Sequence, residues 1–249
     1  MPKSSTTSKG DKILAIFDFC ESIVQIQSIP PFLAMIAREN PNYKPPTRFN
    51  HYKQRIIKKF ARFVLHRTAQ DSMLHRFCQK NAQEYTYPEL AGFPLEIAEE
   101  VAREYASKYL PHYVNEQVLQ KLAWHKEQRH DIVVVSGGLG IYIEPFMAQF
   151  GITNILAVQL ESITNRHGKQ ILSGNRSGLH TMEHRKLYAL DSALDLSQYD
   201  LARSYAYSDC PSDIPLLSLV GNPHAVESSQ DMQWARILGY TIIPAKPQS

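Results

Sequence analysis

The sequence predicts an α/β protein in which a doubly wound, mostly parallel sheet is interrupted after its first strand by an all-helical insertion. A short apolar run, Ile13 to Phe17, is followed by a long stretch with helical periodicity. From Asp131 onward, short β-rich runs alternate with helical ones. Such alternation is typical of a parallel sheet covered by helices on both faces. A chain of 249 residues is long enough for a core and an insertion.

Changes in composition set the predicted domain boundaries. Residues 1–12 are rich in Ser, Thr, Lys and Gly and contain no apolar run, which predicts a disordered leader and not a signal peptide. Residues 13–22 and 129–249 are assigned to the α/β core. Residues 23–128, whose helical patterns are broken by several prolines, are assigned to the helical insertion.

The second half of the chain divides into alternating elements. The predicted strands are Ile132 to Val135, Asn154 to Leu160, Ala202 to Tyr207, Ala225-Val226 and Tyr240 to Ile243. The predicted helices are Ile141 to Phe150, Thr181 to Leu190, Asp213 to Val220 and Ser229 to Leu238. The Gly, Asn and Ser content of Ser162 to Gly178 favours a hairpin or a surface loop.

Composition argues against two classes of protein. No stretch approaches the run of about 18 uncharged apolar residues that a membrane-spanning helix needs. The three cysteines, Cys20, Cys78 and Cys210, are too few and too scattered for a disulfide framework. They indicate a reducing compartment, so the predicted location is the cytoplasm.

The basic residues are unevenly distributed. The segment from Asn40 to Gln70 holds eight Lys or Arg and no Asp or Glu, within a net charge of +3 for the whole chain. Apolar residues recur in it at helical spacing, which predicts an amphipathic basic helix. This basic stretch, residues 44–67, is interpreted either as an insertion helix with a solvated charged face or as a face that collects anions or contacts a membrane surface.

Carboxylates follow two of the predicted strands. Asp18 ends the first apolar run, Asp209 follows the strand that ends at Tyr207, and Asp213 comes four residues later. The carboxyl ends of parallel strands are where α/β sheets bind their ligands. Mg²⁺ prefers hard oxygen ligands of this kind. Taken singly, Asp209 and Asp213 are equally compatible with helix caps and turns, because each precedes a proline-containing turn.

An anion-binding element follows a second strand. Ser136 and the two glycines Gly137 and Gly138 come after an apolar run, and glycine lets main-chain N–H groups converge on a phosphate. The alternative is a strand-to-helix turn that caps the next helix. A cation to balance phosphoryl oxygens is supplied by Lys186 or by its rival Lys169.

These elements, in this order, resemble the haloacid dehalogenase superfamily of phosphohydrolases. The resemblance spans roughly residues 13 to 245 and is closest to the phosphoserine-phosphatase-like branch, which the segments Ser208 to Leu217 and Gly221 to Val226 favour. It implies a Rossmann-like core, a helical cap inserted after the first strand, and Mg²⁺ as cofactor. It also favours Lys186 over Lys169, because the family places a lysine at the opening of a helix one strand before the acidic loop.

The resemblance implies a role for each site residue. Asp18 would be the nucleophile that carries an aspartyl-phosphate and, with Asp209 and the backbone carbonyl of Cys20, would bind the metal. The residues implied in catalysis are Asp18, Cys20, Ser136, Lys186 and Asp213. Those implied in binding the phosphate are Ser22, Ser136, Gly137, Gly138 and Lys186.

Cys20 departs from the family pattern. Most phosphatases of the superfamily carry there a second Asp, which protonates the leaving alcohol and then activates water. A thiol, with a reference pKa of about 8.5, is a weak proton donor for this step. Loss of the acid/base step would lower the rate roughly 10²- to 10⁴-fold. Glu21 is adjacent and could substitute for it, although consecutive side chains near a strand end point apart.

Three functions remain open from the sequence. The first is a Mg²⁺-dependent phosphatase or phosphoryl transferase acting on a small organic phosphate, and the second is a binding protein that keeps the phosphate pocket but lacks catalysis. The third is a membrane-surface or nucleic-acid module that uses the basic helix. The enzyme is the preferred prediction, with a phosphorylated small molecule as partner and no nucleic acid. The oligomeric state is not predicted.

Overall fold

The structure is a computed structural model that describes residues 10–41, 43–44, 86–178, 181 and 184–245. The described residues cluster into two compact units. The first unit draws on the segments Met1–Phe32, Glu96–Leu160 and Ser177–Ser249, and the second on Leu33–Leu95 and Glu161–Arg176.

Seven strands in the described part of the chain form one sheet, in the order β4-β3-β2-β1-β5-β6-β7. They are β1 (Leu14–Phe17), β2 (Asp131–Leu139), β3 (Ile155–Thr164), β4 (Gln170–Ser177), β5 (Tyr205–Ser208), β6 (Asn222–Val226) and β7 (Thr241–Ile243). Strand β1 pairs in parallel with β2 on one side and β5 on the other, and the pairs β2–β3, β5–β6 and β6–β7 are also parallel. The predicted fold class, a mostly parallel α/β sheet, is confirmed.

The described part of the chain also contains seven α-helices, of which the last four are interspersed with the strands that follow β2. They are α1 (Ile29–Glu39), α2 (Leu95–Glu104), α3 (Glu116–Glu127), α4 (Gly140–Ala148), α5 (Arg185–Ala193), α6 (Ile214–Leu217) and α7 (Gln233–Ile237). Helix α2 continues into a π-helical turn at Tyr105–Tyr109 and a 3₁₀ turn at Leu110–Tyr113. None of the described helices is long and apolar enough to cross a membrane.

Both faces of the sheet are covered, and alternation along the strands decides which residue faces which layer. Leu14 and Ile16 of β1 belong to a buried cluster with Leu190 of α5. Phe17, the next residue, points the other way and contacts the ring of His125 on α3. A strand buried on both sides therefore reads as a continuous apolar run, as the first strand does in the sequence.

Several boundaries differ from the predicted ones because local hydrogen bonds override periodicity. The predicted strand at Ala202 begins only at Tyr205, since turn bonds to Asp200 and Leu201 hold the preceding residues. The predicted helix Asp213 to Val220 is shorter, with a 3₁₀ turn at Pro211–Asp213 followed by the single-turn α6. The helix predicted from Thr181 begins at Arg185.

The second unit contains the hairpin that was one of the two predictions for Ser162 to Gly178. Strands β3 and β4 are joined by a turn in which Asn165 N donates to Lys169 O at 2.9 Å. Gly174 of β4 has a φ of +85°, and a side chain there would approach the Tyr87 carbonyl to 3.1 Å. That carbonyl contact and the 2.6 Å bond from Tyr87 N to Gly174 O explain why glycine occupies this position.

The boundaries of the predicted helical insertion, residues 23–128, stay a prediction. Its described residues form helices, helical turns and single β-bridges, with no strand. Helix α3, inside that range, packs on β2 in the first unit. The basic stretch 44–67 lies outside the described residues, apart from Lys44, and so do residues 1–9 of the predicted leader. Lys12, at the end of that leader, forms backbone hydrogen bonds with Gln198 and Asp200.

A cluster of histidines and tyrosines fills the face of the sheet beneath α3. His125 is fully buried, and its Nε2 lies 2.9 Å from the Tyr207 hydroxyl while its Nδ1 lies 2.7 Å from Nδ1 of His130. Tyr207 stacks between Phe17 and His224, at centroid distances of 4.4 and 4.8 Å. Burial, reinforced by His130, His224 and Lys121, lowers the pKa of His125 to about 3. The ring is therefore neutral in the folded protein at ordinary pH.

This cluster predicts a fall in stability on mild acidification. In the unfolded chain the pKa of His125 is near 6.5. Below that pH the unfolded state therefore binds a proton at this ring and the folded state does not. The contribution of the neutral His125 ring to the free energy of unfolding is fully present above pH 6.5. It is lost as the pH falls below that value, with a slope that approaches about 1.4 kcal/mol per pH unit. We expect His125→Gln to flatten the dependence of the free energy of unfolding on pH between 7.5 and 5, measured by urea denaturation.

The matched control is His167→Gln, because His167 is exposed. Its slope should equal that of the wild type. Parallel curves for the wild type and His125→Gln would show that the buried ring does not govern acid sensitivity.

Candidate active site

The site lies at the point where the strand order reverses. Strand β1 sits between β2 and β5, and the chain builds the sheet outward on the β2 side before it crosses to the β5 side. This leaves a crevice at the carboxyl ends of the central strands. Asp18 directly follows β1 and Asp209 directly follows β5. Asp18 N donates to Tyr207 O at 2.8 Å, which joins the two strand ends.

A buried ion triad occupies this crevice. Lys186 Nζ lies 2.8 Å from Asp18 Oδ1 and 2.5 Å from Asp213 Oδ2. Asp213 also accepts from the Ser208 hydroxyl at 2.6 Å and is 2% exposed. The Asp213 side chain makes no capping hydrogen bond to a helix. Its carboxylate belongs to the ion triad, in contrast to the alternative interpretation of Asp213 as a helix cap or turn residue. Lys169, the rival of Lys186, lies in the exposed turn between β3 and β4.

The triad perturbs the proton affinities of its members. Burial raises the pKa of Asp18 to about 6, although the Lys186 ammonium opposes the shift. Burial alone would lower the pKa of Lys186, but Asp18 and Asp213 outweigh it and raise that pKa well above its ordinary value. Lys186 is therefore a permanent cation beside the candidate nucleophile.

Asp209 has no cation bonded to it among the described residues. Its oxygens accept from Ser22 Oγ and Gln230 Nε2, both at 3.4 Å. Burial, with the charges of Asp18 and Glu21, raises its pKa to about 8. Three buried carboxyl groups thus face one lysine, and a divalent cation bound there would stabilise the ionised form of Asp209. Asp18 and Asp209 are hard oxygen donors that suit Mg²⁺, which takes few ligands from proteins.

The Ser-Gly-Gly segment adopts a form that the sequence did not predict. Strand β2 continues to Leu139 and does not end before Ser136. Its register with β3 slips between Val135 and Leu139, which is a bulge. The Ser136 hydroxyl accepts from Gly138 N at 3.0 Å, and the N-cap of α4 is Leu139. The prediction that Ser-Gly-Gly caps that helix is therefore wrong, because the bulge takes the Ser136 hydroxyl.

Gly137 and Gly138 line the crevice, whereas Ser136 is fully buried beside it. A Cβ at position 138 would come within 2.8 Å of Ile143 Cδ1, so a larger residue there would require the end of the Ile143 side chain to move. Thr181 Oγ1 bonds the Ser136 carbonyl from the loop before α5. The bulge is thus held on both sides, with two glycines facing the cavity.

Cys20 lies on the wall of the same cavity. Its sulfur is 3.0 Å from Ser28 Oγ, which is 2.8 Å from the Tyr142 hydroxyl. Burial raises the pKa of the thiol, and the Asp18 charge adds to the effect. Glu21, the predicted substitute, has a left-handed backbone with φ of +57°. Its carboxylate bonds Gln27 and, at 3.3 Å, Ser229.

The cavity has a volume of about 190 Å³. It is lined by Asp18, Cys20, Gln27, Ile29, Gly137, Gly138, Lys186, Asp209, Cys210, Ser212, Asp213 and Gln230. Seven of the predicted site residues are in this set, while Ser22 and Ser136 contact it from behind through Asp209 and Gly138.

Sequence reasoning missed residues that only the tertiary structure brings in. Gln230 bonds Asp209, and Ser28 and Tyr142 bond the Cys20 thiol or each other. None of them carries a signal in the sequence, since each is an ordinary polar residue that does not directly follow a strand. Ser208 is different. Its place next to Asp209 at the end of a strand was the signal that could have identified it.

Comparison with known proteins identifies related chains. A model of the haloacid dehalogenase-like hydrolases matches residues 18–218. A histidinol-phosphatase from Neisseria meningitidis serogroup C (strain 8013) is 27% identical over 193 residues, which cover 73% of this chain and 84% of that protein.

Solved structures share the fold. A protein of unknown function from Bordetella pertussis Tohama I superposes with a TM-score of 0.66 at 18% identity, over 93% of this chain and 98% of that one. A phosphoserine phosphatase solved as a phospho-aspartyl intermediate analogue superposes with a TM-score of 0.52 at 19% identity, over 91% and 98% of the two chains.

The buried triad predicts a large stability loss when its cation is removed. Lys186→Met leaves two buried carboxylates uncompensated, so we expect the free energy of unfolding to fall by about 3–5 kcal/mol. Adding Asp213→Asn should recover part of that loss. The measurement is urea denaturation of the single and double variants at pH 7.5.

Lys108→Met provides the matched control, because Lys108 pairs with Glu104 at 3.0 Å on the surface. Exposed pairs contribute about 0–1 kcal/mol. A loss for Lys186→Met no larger than that of Lys108→Met would contradict the importance of the triad.

Proposed function

We propose that this chain, which belongs to the haloacid dehalogenase-like hydrolases, is a Mg²⁺-dependent phosphomonoester hydrolase that uses Asp18 as its nucleophile. The observation that carries the proposal is the contact between Lys186 and Asp18 in a buried crevice that Asp209 shares. The family predicted from the sequence is confirmed by the match over residues 18–218. The likeness to phosphoserine phosphatase concerns the fold.

Asp18 and Lys186 have different proposed roles toward the phosphoryl group. A phosphomonoester is surrounded by negative charge, so an attacking carboxylate is repelled unless a cation is present. Lys186 supplies that charge and fixes Asp18 through a 2.8 Å bond. Asp213, which accepts from the Ser208 hydroxyl, holds Lys186 in turn. Asp18 can then attack phosphorus while the bond from phosphorus to the leaving oxygen breaks, which releases the alcohol and forms an aspartyl-phosphate; water hydrolyses this to inorganic phosphate and free Asp18.

The remaining residues position the phosphate and the metal. Gly137 and Gly138 line the cavity at the bulge of β2. Gly138 N donates to Ser136 Oγ, so the main-chain N–H of Gly137 is the proposed donor to phosphoryl oxygens. Asp18, Asp209 and the backbone carbonyl of Cys20 are the proposed ligands of Mg²⁺. The ion would neutralise phosphoryl oxygens and orient the substrate. Ser22 orients Asp209 from behind.

The comparisons support a small phosphorylated substrate. The relative from Neisseria meningitidis is named a histidinol-phosphatase, so histidinol phosphate belongs in any substrate panel for this chain. Residues 23–128 are proposed as the cap that selects the leaving group. A cytoplasmic location stays a proposal, consistent with the free thiols of Cys20 and Cys210.

The replacement of the nucleophile is the first test. Asp18→Asn should abolish phosphate release and any hydroxylamine-sensitive phosphoenzyme, because the amide is a poor nucleophile of nearly the same shape. Release is measured with a metabolite panel and Mg²⁺, and folding by a thermal melt. Asp195→Asn is the control, since Asp195 is exposed and bonds only its own turn within the described residues. Turnover by Asp18→Asn near the wild-type rate would rule out the proposed chemistry.

Metal dependence distinguishes the other two carboxylates. Asp209→Asn should raise the Mg²⁺ concentration needed for half-maximal activity far more than Asp213→Asn, because Asp213 acts through Lys186. Activity is titrated against Mg²⁺ for both variants. Equal shifts would mean that the two roles are assigned wrongly.

A further inference from the structure

A row of aromatic rings crosses the face of the sheet beneath α3 and ends at His224. Phe17, Tyr207 and His224, which we call the ring row, occupy partnered positions on β1, β5 and β6. The ring centroid of Tyr207 lies 4.4 Å from that of Phe17 and 4.8 Å from that of His224, with interplanar angles of 8° and 24°. Partnered residues of parallel strands point to the same face of the sheet, so each strand adds one ring to the row.

The next strand carries a residue without a ring at the corresponding position. His224 is partnered with Thr241 on β7, and Thr241 is exposed. The adjacent Ile242 points to the other face, because it packs on the buried cluster that contains Ala235 of α7. The ring row therefore stops at His224, one strand before the edge of the sheet.

A groove lies over this end of the ring row. Helix α3 forms one wall of the groove with residues that include Lys121 and Trp124, and residues of β5, β6 and β7 form its floor. Its volume is about 560 Å³, within the range of roughly 300–1,000 Å³ that is usual for sites of small ligands. The described residues that line the groove do not line the cavity around Asp18. The groove is thus separate from the proposed active site.

Helix α3 brings an aromatic ring and a cation to the groove. Trp124 is 39% exposed, and its ring meets that of Tyr205 edge to face at 5.6 Å. Lys121 lies one helical turn earlier on the same wall. Burial lowers the pKa of His224 and the Lys121 charge adds to the effect, although the bond from His224 Nδ1 to the Asn222 carbonyl opposes it. The ring that ends the row is therefore neutral at ordinary pH, and Lys121 supplies positive charge beside it.

We propose that this groove is a second ligand site, which binds a planar aromatic ring that carries an anionic group. The ring of the ligand stacks on the outer face of His224, above Thr241, and extends the ring row by one member. Trp124 lies beside it, and the anionic group pairs with Lys121. The phosphate of a nucleotide and the carboxylate of a heteroaromatic acid share this chemistry.

The test compares two anions with their uncharged counterparts. The full chain is titrated with AMP and adenosine, and with nicotinate and nicotinamide, by isothermal calorimetry. Mg²⁺ is left out so that AMP is not cleaved at the proposed active site. We expect each anion to bind about two- to fivefold more tightly than its counterpart at low salt, the range of an exposed ion pair, and this preference to shrink as salt is added. The anion that binds more tightly identifies the ligand as a nucleotide or as a heteroaromatic acid.

A substitution at position 241 tests whether the ligand extends the ring row. Thr241→Tyr places a ring of the chain itself beside His224, and aromatic residues suit strand positions. The dissociation constant of the tighter anion should rise by at least about fivefold, the smallest usual effect of losing a stacked base. Thr241→Val nearly keeps the shape of threonine and is the matched control, which should bind like the wild type. Thermal melts report whether both variants fold.

A second pair of variants tests the cation. Lys121→Met should abolish the preference for the anions while the uncharged counterparts bind as before. Lys126→Met is the matched control on the same helix, because Lys126 bonds the Phe150 carbonyl and lines a different groove. It should leave the preference intact.

Three results would overturn the proposal. The first is that neither anion binds, and the second is that the anions bind no more tightly than their counterparts. The third is binding that Thr241→Tyr leaves unchanged, because the ligand would then lie elsewhere, for example in the cavity around Asp18. If Thr241→Tyr does not fold, Trp124→Ala decides in its place, since it removes a wall of the groove and should weaken binding by a similar factor.

Discussion

The structure depends on the burial of one lysine between two aspartates. Lys186 contacts Asp18 and Asp213 with all three side chains removed from water. Such an arrangement is costly in desolvation and persists only with good geometry and further hydrogen bonds. Ser208 supplies one of these bonds. The cost is consistent with a functional role, because a buried cation beside a carboxylate is what attack on an anionic phosphate needs.

The sheet order brings this interaction together. Asp18 follows β1 and lies more than 150 residues before Lys186 of α5, which is 27 residues before Asp213 in the turn preceding α6. They meet because β1 is central and the strand order reverses beside it. The bulge in β2 completes the crevice from the third side by turning Gly137 and Gly138 toward it. The topology thus positions catalytic groups that no local segment could assemble.

One face of the central strands packs against a layer of tyrosine, phenylalanine and histidine rings. Phe17, one residue before the nucleophile, stacks on Tyr207, whose hydroxyl bonds the buried ring of His125. This layer has no ion pair among the described residues and is held by neutral hydrogen bonds and ring contacts. The strand that precedes Asp18, the proposed nucleophile, therefore lies between a charged crevice at its end and a neutral aromatic layer on its flank.

The sequence by itself determined the fold class and predicted the positions that are proposed to carry the chemistry. Periodicity gave the alternating elements, and an aspartate or lysine at a strand end or helix start is a local signal, as at Asp18, Asp209 and Lys186. Only the tertiary structure decided what these groups contact. It showed that Asp213 serves Lys186 and caps no helix, that Ser136 lies in a bulge, and that Cys20 faces a chain of buried hydroxyls. Hydrogen-bond partners distant in sequence leave no periodic trace, so the geometry around a site is fixed by packing and not by any local pattern.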